Sequence, residues 1–152
     1  MTISLSQIGT VKNIRRVVED DHWGGVVSVI ELNSSFTEEA LFQIEKFSHA
    51  EILFYFHLVE DAKIETGARH PRNNKDWPRV GIFAQRGKNR PNRLGATIVK
   101  IIKREGNQLF VQGLDAIDGT PVLDIKPVMK EFLPREEVTQ PDWATELMKN
   151  YW

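Results

Sequence analysis

Two polar clusters interrupt the apolar, strand-like segments of this 152-residue chain. The first, which we call the arginine loop, is the segment 86–93, with three arginines and two asparagines in eight positions. Arg86, Arg90 and Arg93 offer forked N–H donors that match a carboxylate or a phosphate group. Such a density of charge is costly near a core unless something pairs with it, so it indicates a site for an anionic group. A charged surface hairpin is the alternative.

The second cluster, the aspartate segment, is the stretch 115–127, where three aspartates and a lysine alternate with apolar residues. Its charged members are Asp115, Asp118, Asp124 and Lys126. Carboxylates held near arginines can bind the ammonium and hydroxyl groups of a ligand, or orient a nucleophilic amine. The structural alternatives are an Asx turn at Asp118 and a plain ion pair between Asp124 and Lys126, which point the same way on a strand.

Several other chemistries are excluded or disfavoured. The chain has no cysteine, which excludes disulfides, thiolate metal sites and cysteine nucleophiles. Its four histidines are far apart and form no H-x-x-x-H pair, so we predict no metal site. No G-x-G-x-x-G motif follows a strand, so a doubly wound nucleotide-binding fold is not expected. His57 is either a satisfied core histidine or a residue that faces a ligand pocket.

The net charge of −1 conceals a strongly basic segment. The stretch from Lys63 to Arg104 contains twelve Lys and Arg residues against two acidic ones. This concentration suggests an anionic partner such as RNA. The alternative is a solvated face whose charges pair with the acidic remainder of the chain.

Composition and length predict one globular domain over 1–152, with 41% hydrophobic and 27% charged residues. The first residues show no basic region followed by a long apolar run, so no signal peptide is expected. The longest apolar run, 52–59, is too short to cross a bilayer. We therefore expect a cytoplasmic protein that does not associate with membranes.

The two clusters must be positioned by short strands. Apolar and β-branched runs predict strands at 6–12, 26–32, 51–59, 80–84, 95–103, 108–113 and 121–125. The fifth and sixth of these runs form a hairpin through the turn 104–107, and 69–78 is a long loop. The run 51–59 suits a strand buried on both faces.

Two helices complete the prediction. A capping box at Ser35 and Glu38 begins a helix that runs to about Lys46, with Leu41 and Ile44 on its inner face. A second helix opens at 141–142, where residues 143, 147 and 151 lie four apart on one side. Many short strands with one internal and one C-terminal helix predict a mainly β fold, a small closed β-barrel. Its core spans about 5–133, and 134–152 is an extension.

At the two clusters the chain resembles the TsaA/TrmO-like (YaeB-like) family. The matching residues are Gly81-Ile82-Phe83-Ala84, Arg86, Arg90-Pro91-Asn92, and the run Gly113-Leu114-Asp115 followed by Asp118 to Pro127. Supporting matches occur at Ile8-Gly9, at Val11, at Phe47 to Ile52 and at Phe56-His57.

The resemblance implies a compact, usually homodimeric β-barrel that binds S-adenosylmethionine without a glycine-rich loop. It implies methylation of N6 on threonylcarbamoyl-adenosine, beside the anticodon of a tRNA. By the same resemblance, the cofactor contacts fall on Asp21, His22, Trp23, His57, Leu58, Arg86, Ala96, Leu114 and Asp115. Arg69, Arg90, Asn92 and Arg93 are the candidates for substrate binding, and Asp118, Asp124 and Lys126 are those for catalysis. Trp77 and Phe83 are candidate stacking surfaces for a base.

The chain departs from the family pattern at four places, of which one is the segment 68–78 before Gly81. It has Gln85-Arg86-Gly87-Lys88 where Thr-Arg-Ser-Pro is usual, and Arg93 where Pro usually follows Asn92. The separate C-terminal domain of longer members is not expected here. Two alternatives therefore stay open. One is methylation of another RNA or of a small molecule, and the other is a non-catalytic barrel that binds RNA or a ligand.

Overall fold

The computed structural model describes all residues 1–152, and its centre is a closed barrel. The chain forms eight strands: β1 (Gly9–Lys12), β2 (Val27–Leu32), β3 (His49–Tyr55), β4 (Ala68–Arg69), β5 (Val80–Gly81), β6 (Leu94–Glu105), β7 (Gln108–Gln112) and β8 (Pro121–Pro127). Six of them close the barrel in the order β1-β2-β7-β6-β3-β8, with every pair antiparallel. β4 and β5 form a separate two-stranded sheet. The predicted mainly β fold with a closed barrel is confirmed.

Side-chain alternation along the strands creates the barrel core. In β6, residues 95, 97, 99 and 101 are buried and residues 96, 98 and 100 are not, as a period of two requires. The interior is almost entirely aliphatic. The core cluster consists of Val11, Ile30, Leu32, Leu41, Ala50, Ile52, Phe54, Val99, Ile101, Leu109, Val111, Leu114, Ala116 and Val122.

β3 is shorter than predicted and is buried on one face only. It ends at Tyr55, and its buried residues are Ala50, Ile52 and Phe54. The predicted strand 51–59 is therefore wrong in its second half. The apolar residues after Tyr55 belong to a turn, in which the amide of Val59 donates to the carbonyl of Phe56.

The predicted internal helix is replaced by two short 3-10 helices, Glu38–Leu41 and Ile44–Lys46. They are separated at Gln43, whose φ of 71° is left-handed and ends any continuous helix. No capping side chain bonds the first turn, so the predicted capping box is not formed. The predicted inner face is correct, because Leu41 is buried and Ile44 packs against the core.

The segment before the arginine loop also differs from its prediction. The predicted strand 80–84 stops after Gly81 and continues as the 3-10 helix Ile82–Ala84. The predicted loop 69–78 contains the end of β4 and the 3-10 helix Pro71–Asn73. Two further 3-10 helices are Asp61–Lys63 and Lys130–Phe132.

The predicted C-terminal helix is confirmed as α1 (Asp142–Leu147), although it has only six residues. Beyond it, the amides of His22 and Trp23 donate to the carbonyls of Asn150 and Tyr151, at 2.9 and 2.8 Å. This pairing holds the segment 150–152 against the turn that precedes β2. None of the helices has the length and hydrophobicity that a bilayer-spanning helix needs.

Candidate functional site

Asp115 is the centre of a hydrogen-bonded cluster. β6 extends beyond the end of β7, so Asp115, three residues after β7, lies alongside the part of β6 that β7 does not pair. There the hydroxyl of Thr97 donates to Oδ1 of Asp115 at 2.5 Å, and the hydroxyl of Tyr151 donates to Oδ2. Both carboxylate oxygens are thereby fixed in direction. Because a carboxylate has about four lone-pair sites, Asp115 keeps acceptor capacity for a ligand.

The Tyr151 side chain is largely enclosed in this cluster. Burial, and after it the negative charge of Asp115, raise the pKa of Tyr151 well above its usual value. The positive charges of Arg72 and Arg86 act in the opposite direction and lower that pKa. The cluster therefore combines an anionic carboxylate, a neutral hydroxyl and two cations.

Arg86 connects the arginine loop to β6. Its Nη2 donates to the carbonyl of Ala96 at 2.5 Å, one residue before Thr97. The remaining guanidinium donors are exposed to solvent, because the Arg86 side chain is an exposed one. Arg86, Ala96 and Asp115, which the family resemblance gave as cofactor contacts, thus lie in one place. Apart from that resemblance, no pattern in the sequence predicts that these three residues lie together.

The segment 21–23 reaches the same cluster from the other side. The carboxylate of Asp21 forms a 2.8 Å ion pair with Arg72, and the Trp23 side chain is buried beneath Arg15, whose guanidinium carbon lies 4.1 Å from the ring centroid. The backbone of Trp23 bonds to that of Tyr151. Asp21, His22 and Trp23 are therefore neighbours of the cluster through Arg72 and Tyr151.

The other predicted cofactor contacts have weaker ties to the cluster. Leu114 is fully buried in the barrel, where it is a core residue. His57 and Leu58 follow the end of β3, which lies beside the start of β6 because Tyr55 pairs with Leu94. They therefore occupy the same end of the barrel as the arginine loop, but the side chain of His57 makes no hydrogen bond.

The other arginines of the loop are engaged by protein groups outside it. The Arg93 guanidinium donates to the hydroxyl of Tyr55 at 2.7 Å and to the carboxylate of Asp61, and these bonds raise the pKa of Arg93. Arg90 donates to the carbonyl of Gln85 at 2.8 Å. Of the predicted substrate contacts in the loop, only Asn92 is exposed without a side-chain hydrogen bond.

The predicted catalytic residues are divided between two places. Asp118 accepts a bond from the amide of Asn13 at 3.1 Å, which is the contact of a turn residue. Asp124 and Lys126 form a 3.1 Å ion pair on the outer face of β8. Asp124 pairs with Leu53, and Leu53 pairs with Ala96, so Asp124 and Ala96 are two strand spacings apart, about 10 Å.

Three residues of the cluster or its surroundings could not be predicted as site residues from the sequence. Thr97 was part of a β-branched strand, and only its position beyond the end of β7 brings it to Asp115. Tyr151 was assigned to a helix face, but it lies in the turn after α1. Arg72 lies in a loop whose path the sequence did not reveal, where it adopts a φ of 51°. The chain contains no cluster of three or more His, Asp or Glu side chains with the geometry to hold a metal ion.

Comparison with known proteins gives a consistent result. The family model of the tRNA-methyltransferase O N-terminal domain matches residues 20–132. The tRNA (adenine(37)-N6)-methyltransferase of Homo sapiens is 39% identical over 104 residues, which is 68% of this chain and 23% of that protein. A probable S-adenosyl-L-methionine-binding protein of Pyrococcus abyssi is 40% identical over 100 residues, 66% of this chain and 52% of that protein.

A similar solved structure is that of TrmO from Pseudomonas aeruginosa. It superposes with a TM-score of 0.76 at 28% identity, covering 94% of this chain and 62% of that chain. The chain thus spans less than two thirds of the length of each of these relatives. The matched region contains Asp21, Arg86, Ala96 and Asp115 but ends before α1 and Tyr151.

Proposed function

This chain belongs to the family of the tRNA-methyltransferase O N-terminal domain, and on that premise we propose that it is an S-adenosylmethionine-dependent methyltransferase acting on tRNA. The proposed acceptor is N6 of an adenosine beside the anticodon, threonylcarbamoyl-adenosine. The observation that carries the proposal is the convergence of Arg86, Ala96 and Asp115 on one cluster. These three residues come from separate segments of the region that the family model matches.

The cluster suits the chemical groups of the proposed cofactor. S-adenosylmethionine would supply an electrophilic methyl group on a cationic sulfur; its transfer would break the S–C bond, form the N–C bond, and release one proton from N6 to water. Asp115 offers a carboxylate, held by Thr97, that can accept from hydroxyl groups and favour a nearby positive charge. Arg86 keeps exposed donors for a carboxylate.

The protein's own contribution to the reaction is positioning. Aligning an acceptor with an activated methyl group can supply much of the rate, without an assigned general base. Of the three catalytic candidates, Asp124 and Lys126 lie on the outer face that includes Ala96, whereas Asp118 is engaged by a turn. We therefore keep Asp124 and Lys126 as groups that shape the acceptor site, and we give Asp118 a structural role.

We further propose that two copies of the chain associate. Leu94, Ile98 and Ile102 stand on the outer face of β6 and are 38%, 46% and 44% exposed. A second copy would remove this apolar row from water. Sedimentation of Ile98→Asp beside wild type checks this, since loss of the dimer is expected.

A tRNA substrate also implies a cytoplasmic location.

Transfer of a labelled methyl group tests the proposed function. The protein is incubated with S-adenosylmethionine carrying a tritiated methyl group, and with either bulk tRNA or a small-molecule extract. The expected result is label in tRNA, lost in Asp115→Asn and Arg86→Ala. Label in the small-molecule fraction alone would assign another substrate, and failure to bind the cofactor would leave a non-catalytic barrel.

A further inference from the structure

A polar cavity lies next to the cluster and shares Arg72 with it. It has a volume of about 380 Å³ and no apolar side chain in its wall. Its walls come from the turn before β2, the segment 61–73 and the arginine loop. The lining residues are Asp20, Lys63, Arg69, Arg72, Asn73, Lys88 and Asn89.

The cavity carries a net positive charge that the protein does not neutralise. Lys63, Arg69 and Lys88 form no ion pair anywhere in the structure, and of the four cations only Arg72 is paired, with Asp20 at 3.9 Å and Asp21 at 2.8 Å. Unpaired cations that face one cavity repel each other, so they favour an anion between them. A wall without apolar groups offers nothing to a base or to an alkyl group.

Backbone conformation and hydrogen bonds fix the walls of the cavity. Arg72 and Asn73 both adopt left-handed φ angles, 51° and 57°, which are uncommon for residues other than glycine. Arg69 donates to the side chain of Asn73 at 2.9 Å, which fixes two of the lining residues relative to each other. The amide of Glu65 donates to the carbonyl of Asn89 at 3.0 Å, which ties the segment 61–73 to the arginine loop.

The side chain of Asn89 adds a hydrogen-bond donor to the wall of the cavity. Its side-chain oxygen is buried and has no hydrogen-bond partner. That oxygen is an acceptor and cannot bind an anion, whereas the NH₂ group of the same amide can donate to one.

We propose that this cavity binds a phosphate group of the nucleic-acid substrate. The inference rests on the proposed function, and it names Lys63, Arg69, Arg72 and Lys88 as the cations that contact the phosphate. Arg72 also pairs with Asp21, and the two residues after Asp21 bond to the backbone of Asn150 and Tyr151, so the phosphate would sit beside the cofactor cluster. A phosphate fixed there would set the register of the RNA relative to the methyl group.

The test measures RNA binding and cofactor binding on the same variants. Lys63→Gln, Lys88→Gln and the double variant remove cations with exposed side chains, so the fold is expected to persist. Lys100→Gln on β6 is the matched control: it makes the same change at an exposed lysine without an ion pair, six residues and about 20 Å beyond the start of that strand. The probes are a short fluorescein-labelled RNA stem-loop, S-adenosylhomocysteine and inorganic phosphate.

Each cavity variant is expected to weaken RNA binding by about threefold to tenfold and to lower the salt slope by about one. The control should change RNA affinity by less than about twofold. Inorganic phosphate at constant ionic strength should displace RNA more readily from wild type than from the double variant. Binding of S-adenosylhomocysteine should stay unchanged in all of them.

Two results would overturn the proposal, and a third would contradict the proposed function instead. Equal RNA affinity in wild type and the double variant would show that the cavity does not contact RNA, and if phosphate still binds, the site serves a free phosphate. A parallel loss of S-adenosylhomocysteine binding would assign the cations to the cofactor's carboxylate. Failure of wild type to bind S-adenosylhomocysteine contradicts the proposed function instead, and it leaves the RNA comparison intact.

Discussion

The hydroxyl of Tyr151 donates a hydrogen bond to the carboxylate of Asp115. Asp115 lies inside the region that the family model matches, whereas Tyr151 lies 19 positions beyond its last residue, 132. A segment outside the shared domain therefore orients a central residue of the proposed cofactor site. The two backbone hydrogen bonds to His22 and Trp23 hold Tyr151 in place.

Tyr151→Phe tests the role of this contact. We expect S-adenosylhomocysteine affinity to fall by about threefold to tenfold, because a hydrogen bond to a charged acceptor is lost and Asp115 is held by Thr97 alone. Calorimetry measures the change. Tyr55→Phe is the matched control, since its hydroxyl contacts Arg93 rather than Asp115. Tighter binding in Tyr151→Phe would show that Tyr151 blocks the site rather than organising it.

The raised pKa of Tyr151 predicts a pH dependence. Below the usual tyrosine pKa of about 10, the hydroxyl is protonated in both the folded and unfolded states, and it adds no pH dependence. Above that value only the unfolded chain loses the proton, so the free energy of unfolding falls as the pH rises. The chain has two tyrosines, which allows a difference measurement. With rising pH, the tyrosinate absorbance of wild type and of Tyr151→Phe should increase equally until the protein unfolds. An extra transition near pH 10 in wild type would contradict the burial of the Tyr151 hydroxyl.

Arg86→Ala should separate binding from stability. The side chain is exposed and makes one hydrogen bond to the protein, so the free energy of unfolding should change by less than about 0.5 kcal/mol. Cofactor affinity should fall by about tenfold or more, because the forked donors are lost. Arg86→Lys should also bind weakly, since an ammonium does not replace the fork. An unfolded Arg86→Ala variant would make the residue structural.

Gly95 and Gly87 predict opposite outcomes for the same substitution. A methyl group at Gly95 would lie 2.4 Å from the ring of Phe54 in the barrel, whereas nothing lies within 4 Å of the equivalent position at Gly87. Gly95→Ala should therefore cost about 1–3 kcal/mol of the free energy of unfolding. Gly87→Ala should cost nothing measurable. Chemical denaturation of both variants checks the prediction, and equal stabilities would contradict the packing at Phe54.

The barrel was predictable because its signals are local. Alternating β-branched runs specify β6 and β7, and the turn between them specifies their hairpin. The internal helix was not, because the pattern around Leu41 and Ile44 is the same whether one helix or two 3-10 turns present those residues to the core. The left-handed Gln43, which decides between the two, has no sequence signature.

The site was predictable only in part, for a related reason. The arginine loop and the aspartate segment stand out by charge, but their meeting depends on how far β6 extends beyond β7. Some of these charged residues make contacts within the protein: Arg90 and Arg93 attach the loop to the rest of the protein, and Asp118 holds a turn. Residue type alone does not distinguish these uses from ligand binding. The contact of Tyr151 with Asp115 could not be predicted, because no local sequence pattern links a residue after a short helix to a partner far away in the chain.

A crystal structure of the protein with S-adenosylhomocysteine tests the central claim most directly. We predict that the ligand lies between Arg86 and Asp115, with a hydrogen bond to the Asp115 carboxylate and with Tyr151 still in contact with that residue. A ligand bound elsewhere on the barrel, with Arg86 and Asp115 unchanged, would contradict the proposed site.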